Sequence, residues 1–276
     1  MNLLDRLGLR SRAGAYRQPA TSDGIGKAEL AGLREADARE IEALHRAGTL
    51  SALRPRADRA HDLAQLIGTS VGEGLHVCHE LQLALDADPS GEGAVCEFGV
   101  AQGATSRLLA RELMADARAG RRELWLFDSF EGLPKPSPQD RLIDDIFNLG
   151  SMEAYAGTMH CPRVLVETKL AEIGFPAART RIKQGWVDAA LAAQPLPAKV
   201  AFAYVDFDFY QPILDALRWL DGVTAPGARV VVDDYGFFSE GAQLATDEFV
   251  AASGGRWSLA MPVPCAGHFA MLARVS

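Results

Sequence analysis

Seven short apolar runs are strung through residues 94–273, and stretches with helical periodicity separate most of them. The runs are 94–98, 124–127, 180–183, 200–205, 229–232, 257–260 and 269–273. Helical patterns fall at 105–117, 164–173, 212–220 and 242–252. Strand–helix alternation of this kind predicts an α/β fold, a mostly parallel sheet with helices on both faces. Residues 130–160, rich in Pro, Gly and Asp, match neither pattern. So long an irregular connection in a compact domain reads as a lid or a binding loop.

Upstream the texture differs. Helical patterns cover 27–50, with Leu30, Leu33, Ile41 and Leu44 among charges, then 59–67 and 71–85. Pro89-Ser90-Gly91 breaks the chain. The expected division is an N-terminal helical extension over 1–90 and a main domain over 91–276, with a lid-like insertion at about 130–160. The first twenty or so residues, Arg-rich with Gly and Pro, are expected to stay loose unless a partner subunit pins them.

With 36 acidic and 28 basic residues the net charge is -8. That balance argues against nucleic-acid binding, which leans on basic contacts to phosphate. No apolar run approaches the twenty residues of a membrane span. The opening MNLLDRLGLRSR does not read as a secretory signal. Cys78, Cys96, Cys161 and Cys265 are scattered without a C-x-x-C pair, which argues against a zinc site. Cys78 and Cys96 lie in apolar runs and read as buried thiols, so a reducing, cytoplasmic setting is expected.

Four motifs carry chemistry. Glu97-Phe98-Gly99-Val100-Ala101-Gln102-Gly103 ends the first run of the sheet. Gly99 and Gly103 let backbone pass close to a ligand or simply turn the chain. The dinucleotide G-x-G-x-x-G is missing, so the turn suits a donor without pyrophosphate, such as S-adenosylmethionine. Asp128 follows the second run, where an acid accepts ribose hydroxyls or caps a turn. Asp206-Phe207-Asp208 and Asp233-Asp234-Tyr235 end two further strands. Asp206, Asp233 and Asp234 are expected to converge at one sheet edge, where their mutual repulsion calls for a cation. Hard oxygen ligands favour Mg²⁺. Trp186, in Gln184-Gly185-Trp186, either borders an adenine ring or packs in the core.

In this order, Glu97-Phe98-Gly99-Val100, Asp128-Ser129-Phe130-Glu131-Gly132-Leu133-Pro134, Gly185-Trp186, Asp206/Asp208 and Asp233-Asp234-Tyr235 resemble the TylF/MycF-type macrocin O-methyltransferases. The similarity spans about residues 65–250. It implies a Rossmann-like class I methyltransferase fold with a seven-stranded central sheet. It also implies S-adenosylmethionine and Mg²⁺ as cofactors, and a deoxysugar hydroxyl on a natural product as acceptor. By position Asp206, Asp233 and Asp234 match the metal ligands. Glu97, Gly99 and Asp128 match the donor site, with Gly103, Ser129, Gly185 and Trp186 beside them. The family's L-D-G-D reads Val205-Asp206-Phe207-Asp208 here, so Phe207 stands where a small residue is usual.

A general base must take the acceptor's proton. His160, at the end of the lid-like stretch, is the first choice and Asp208 the second; the alternative for His160 is an exposed loop position. The pair His76 and His79 and the run Arg54–Arg59 read as a packed helix face and as surface charge. Competing functions are methylation of a phenol, a catechol or another non-sugar hydroxyl, a dinucleotide-dependent oxidoreductase, and a non-enzymatic donor-binding subunit. A small hydroxylated acceptor and a homo-oligomer are the expected partners.

Overall fold

The computed structural model describes residues 53–54, 56, 58–262 and 266–276. The helix expected at 27–50, the Arg-rich start and Cys265 lie outside them. Seven strands form one sheet: β1 (Ala94–Phe98), β2 (Leu124–Asp128), β3 (Thr180–Gln184), β4 (Val200–Val205), β5 (Thr224–Val232), β6 (Trp257–Ala260) and β7 (Ala270–Arg274). Their order is β3-β2-β1-β4-β5-β7-β6. β1 to β5 are parallel, and β7 runs antiparallel between β5 and β6. Sequence order reverses between β1 and β4, so a crevice opens outside their carboxyl ends.

The helices are α1 (Arg59–Leu63), α2 (Val71–Ala87), α3 (Ala104–Ala115), α4 (Arg163–Glu172), α5 (Val187–Ala192), α6 (Tyr210–Val223) and α7 (Glu240–Ala252). β1 and β4 are buried along their whole length, as strands covered on both faces must be. On one face Cys96, Phe98, Ala203 and Val205 pack against Ile213, Leu217 and Ala245 of α6 and α7. On the other Val95, Phe202 and Tyr204 meet Val77 and Leu81 of α2 and Leu109 of α3.

The expected division at residue 90 therefore falls beside a helix that belongs to the main domain. α2 lies against the sheet, with Val77, Leu81, Ala84 and Leu85 in its core. Two of the arginines expected at the surface, Arg56 and Arg59, are largely buried. Arg59 and Arg56 both bond Glu112 on α3, and Arg56 also pairs with Asp62. Opposite charges on α1 and α3 make their burial tolerable. His76 is buried, its Nδ1 at 2.7 Å from the Gly72 carbonyl oxygen and its ring edge-on to Phe269.

The stretch 130–160 is a cap with a small core of its own. Leu133, Met152 and Tyr155 pack with Phe209, Phe237 and Phe238 of the main domain. The Tyr155 hydroxyl donates to Asp145 at 2.6 Å and accepts from the Phe147 N–H. Asp145 also takes the N–H groups of Leu149 and Gly150. A short bridge, Leu142 to Ser239, ties the cap to the start of α7.

Candidate active site

Because β1 to β5 are parallel, their terminal residues share one edge. A cavity of about 400 Å³ opens there, between the strand tips and the cap. Its floor includes Glu97, Gly99, Asp128, Gly185, Asp206 and Asp208. Ser129 and Trp186 also border it. The cap contributes Leu133, Ile146, Phe147 and Met159.

Glu97 is 1% exposed and accepts a hydrogen bond from the Ser106 hydroxyl. Burial pushes its carboxyl up to about 8, with the Asp128 charge adding and the Ser106 hydroxyl opposing. An incoming cationic group would reverse that balance. The Asp128 carboxylate is occupied by backbone donors. One carboxylate oxygen takes the N–H groups of Val100 and Ala101, at 2.7 and 3.0 Å, and the other that of Phe130. It thus holds the β1–α3 turn and the start of the cap together, and one turn-holding carboxylate shapes two cavity walls.

Gly99 adopts φ +85, and a Cβ there would lie 1.9 Å from the Asp206 carbonyl oxygen. The glycine thus lets the β1 turn meet the β4 tip, where the Asp206 N–H donates to the Phe98 carbonyl at 2.7 Å. Gly103, expected beside the donor, is instead the N-cap of α3. Its φ is +73 and a Cβ would meet Val166 of α4 at 3.2 Å, so its smallness serves helix packing. Trp186 is 40% exposed, a ring on the cavity rim rather than in the core.

Asp206, Asp208 and Asp234 each bring a carboxylate oxygen within 4.8 Å of the others. Asp208 and Asp234 are buried, and both hold left-handed backbone, φ +63 and +60. Such conformations are unusual for non-glycine residues and persist where surrounding structure imposes them. An all-oxygen set at this spacing suits a hard divalent cation of the Mg²⁺ type, so the residues fit the metal that the motif suggests.

The converging trio differs from the expected one at a single member. Asp233 is turned away from the other two. One of its oxygens takes the Asp234 N–H at 2.7 Å, and the other lies 3.2 Å from the Tyr204 hydroxyl. Both residues lie just past the end of β5, and it is the Asp234 carboxylate that stands with those of Asp206 and Asp208. Asp208, two residues beyond Asp206, completes the group. Tyr204 is wholly buried; that burial, with the charges of Asp206, Asp233 and Glu73, holds its phenol well above the usual range.

His160 does not reach the cavity. Met159 and Cys161 on either side line the wall, while His160 is exposed. Cys161 is a free, buried thiol that burial pushes up to about 11. Cys78 and Cys96 are likewise free and buried. No described helix is long and apolar enough to cross a membrane.

A sheet of this order, with a cavity at its switch point and acids at the β1, β2, β4 and β5 tips, defines the Rossmann-like class I methyltransferase fold. Two solved structures share it. The O-methyltransferase NovP aligns with a TM-score of 0.62 at 17% identity, over 87% of this chain and 100% of that one. The calicheamicin methyltransferase CalS11 aligns with a TM-score of 0.59 at 19% identity, over 95% and 98%.

The sequence profile of the macrocin-O-methyltransferase (TylF) family matches residues 45–259, and the chain belongs to that family. A relative in Streptomyces olivaceus, 8-demethyl-8-(2,3-dimethoxy-alpha-L-rhamnosyl)-tetracenomycin-C 4'-O-methyltransferase, is 29% identical over 170 residues, 62% of each chain. Mycinamicin III 3''-O-methyltransferase of Micromonospora griseorubida is 28% identical over 145 residues, 52% of this chain and 55% of that one. The chain thus aligns with under two thirds of the length of either relative.

Proposed function

We propose that this protein is an S-adenosylmethionine-dependent O-methyltransferase that requires Mg²⁺ and acts on a hydroxyl of a small natural product, in the first instance a deoxysugar hydroxyl. The observation that carries this reading is the carboxylate trio Asp206, Asp208 and Asp234 beside the β1 turn, at the switch point of the sheet. Family membership, the O-methyltransferase names of the two relatives and the rhamnosyl group in one of those names support it.

On this reading Glu97 receives the donor's ammonium group, the β1 turn held by Asp128 carries its methionine end, and Trp186 borders its adenine. Asp206, Asp208 and Asp234 hold the cation, which when bound supplies Lewis acidity to a neighbouring hydroxyl. The methyl–sulfur bond breaks as the new carbon–oxygen bond forms, and the acceptor's proton passes to a carboxylate. With His160 exposed, that base is Asp208, which both lines the cavity and belongs to the trio.

The walls bear on the acceptor. Among the described residues, Lys135 is the one cation on the lining. Six aspartates and Glu97 share that lining with it. A sugar diphosphate would add negative charge to an acidic site, so an acceptor without phosphate is favoured. Leu133, Ile146, Phe147 and Met159 offer an apolar surface to the rest of the molecule. The same surface also suits a phenol or catechol, which is the second reading.

Calorimetric titration of S-adenosylmethionine, with Mg²⁺ and then with EDTA, tests the proposal on wild type and Asp234→Ala. Donor binding to both proteins is expected, with Mg²⁺ binding to wild type alone. A wild type that binds no donor under either condition would overturn the methyltransferase reading. Donor binding without any Mg²⁺ binding would remove the metal from it.

A further inference from the structure

Phe207 stands between Asp206 and Asp208, an apolar ring among acids, and it borders the cavity while only partly buried. Its neighbours fix where the ring lies. It meets Phe98 of β1 edge-on, with ring centroids 5.9 Å apart, and Phe98 in turn stacks on Phe127 of β2 at 4.5 Å. Its Cδ1 is 3.4 Å from where a Cβ on Gly99 would stand, so the ring also lies against the β1 turn. These contacts belong to the sheet face that α5 and α6 cover, because Ala190 of α5 and Ile213 of α6 share one core with Phe98 and Phe127. The two helices pack against each other there. The start of each therefore comes to the same side of the cavity as Phe207, although β3 and β4 are not neighbours in the sheet.

Trp186, Val187 and Pro212 join Phe207 in giving that side an apolar, partly aromatic wall, and Asp188 and Gln211 add polar atoms to it. Flat side chains suit the faces of a flat ring, and a few polar groups suit the nitrogens at its edge. Stacking of this kind serves any nucleobase, since each offers a π-face. Resting on the function proposed above, we propose that Phe207 is a donor-binding residue whose ring takes one face of the adenine of S-adenosylmethionine, with Trp186 on the border of the same slot. The contact with Gly99 sets the ring beside the turn assigned to the donor's methionine end, and so within the span of one donor molecule.

Phe207→Leu tests the assignment, because it keeps an apolar side chain and removes the flat face. Calorimetry on the full chain should show S-adenosylhomocysteine binding weakened by about fivefold or more. Adenosine, which has no amino-acid end, should weaken by a similar factor. Unchanged affinity for S-adenosylhomocysteine would overturn the proposal. So would a loss that adenosine does not share, which would set the ring against the methionine end or mark a distorted β1 turn.

4-Fluorophenylalanine placed at position 207 of the otherwise unaltered chain separates stacking from a packing effect, and it serves equally if Phe207→Leu does not fold. Its ¹⁹F resonance should move upfield as S-adenosylhomocysteine binds, because the ring current of a purine shields what lies over its face. A resonance that stays still or moves downfield would overturn the proposal. A wild type that binds neither S-adenosylhomocysteine nor adenosine would instead overturn the methyltransferase reading on which the proposal rests.

Discussion

Replacing Glu97 by Gln should make the protein more stable in alkaline solution and leave it unaltered in acid. Glu97 is 1% exposed, and burial raises its carboxyl from the ordinary 4.5 to about 8. Between those two values the folded protein keeps a proton that the unfolded chain has released. The unfolded state then binds fewer protons, so stability falls as pH rises. The contribution of the protonated carboxyl is full below about pH 4.5 and lost by about pH 8. At about 1.4 kcal/mol per pH unit, the loss is on the order of 5 kcal/mol across that window, and relaxation of the site brings it lower. Gln keeps the volume and an oxygen for the Ser106 hydroxyl, and it does not ionise.

Thermal midpoints of the two donor-free proteins, taken at half-unit steps from about pH 4 to 9, read the difference directly. The two curves should coincide in acid, separate steadily, and run parallel above about pH 8. Even half the full energy would part the midpoints by about 5 °C or more in a chain of this size. A gap that stays constant across the range would refute the reasoning, because a packing difference has no pH dependence. The same carboxyl ties stability to the donor. If an ammonium group settles against Glu97, wild type must release a proton on binding at pH 7, whereas the Gln variant must not. Calorimetry in two buffers of different ionisation enthalpy separates these cases.

Two further outcomes follow from the packing. Glu112→Ala strands Arg59 and Arg56, both largely buried, and should destabilise the protein by about 3–5 kcal/mol in urea unfolding; a loss under about 1 kcal/mol would mean that the arginines find water or other partners. Gly99→Ala should lower both donor binding and Mg²⁺ binding, because a Cβ placed 1.9 Å from the Asp206 carbonyl oxygen must drive the β1 turn and the β4 tip apart; calorimetry that finds either affinity intact would show that the two tips move independently.

The sheet was legible because strands buried on both faces must be short and apolar. β1, β4 and β6 run as the apolar pattern predicts, and the other strands differ at their ends. β5 begins five residues earlier than its apolar core, at Thr224, since its first half is only partly covered and carries Ala-Pro-Gly. α5 escaped notice because six residues give too little of a 3.6-residue period to see. The buried arginines were misread for a different reason. A run of like charges says nothing of its partners when these lie on other elements, and Glu112 is more than fifty residues away.

The site was legible as a set of strand ends, but not as a set of side-chain directions. Spacing places Asp233 and Asp234 at one tip; it does not say which of the two carboxylates comes near Asp206 and Asp208, since that depends on the backbone beyond the strand. Here β5 ends at Val232, and Asp234 turns left-handed with its carboxylate near those of Asp206 and Asp208, the latter itself left-handed three residues past β4. The same limit applied to His160, whose neighbours Met159 and Cys161 line the cavity while it does not. Gly99 carries the corresponding lesson for the donor side. The glycine reads as room for a ligand, yet the nearest atom to its missing side chain is the Asp206 carbonyl oxygen. The turn that would hold the methyl donor and the strand tip that would hold the cation are in backbone contact through that one residue. A displacement of either is therefore felt by the other without any intervening side chain, which is why Gly99 and Asp206 belong to one site although different elements carry them.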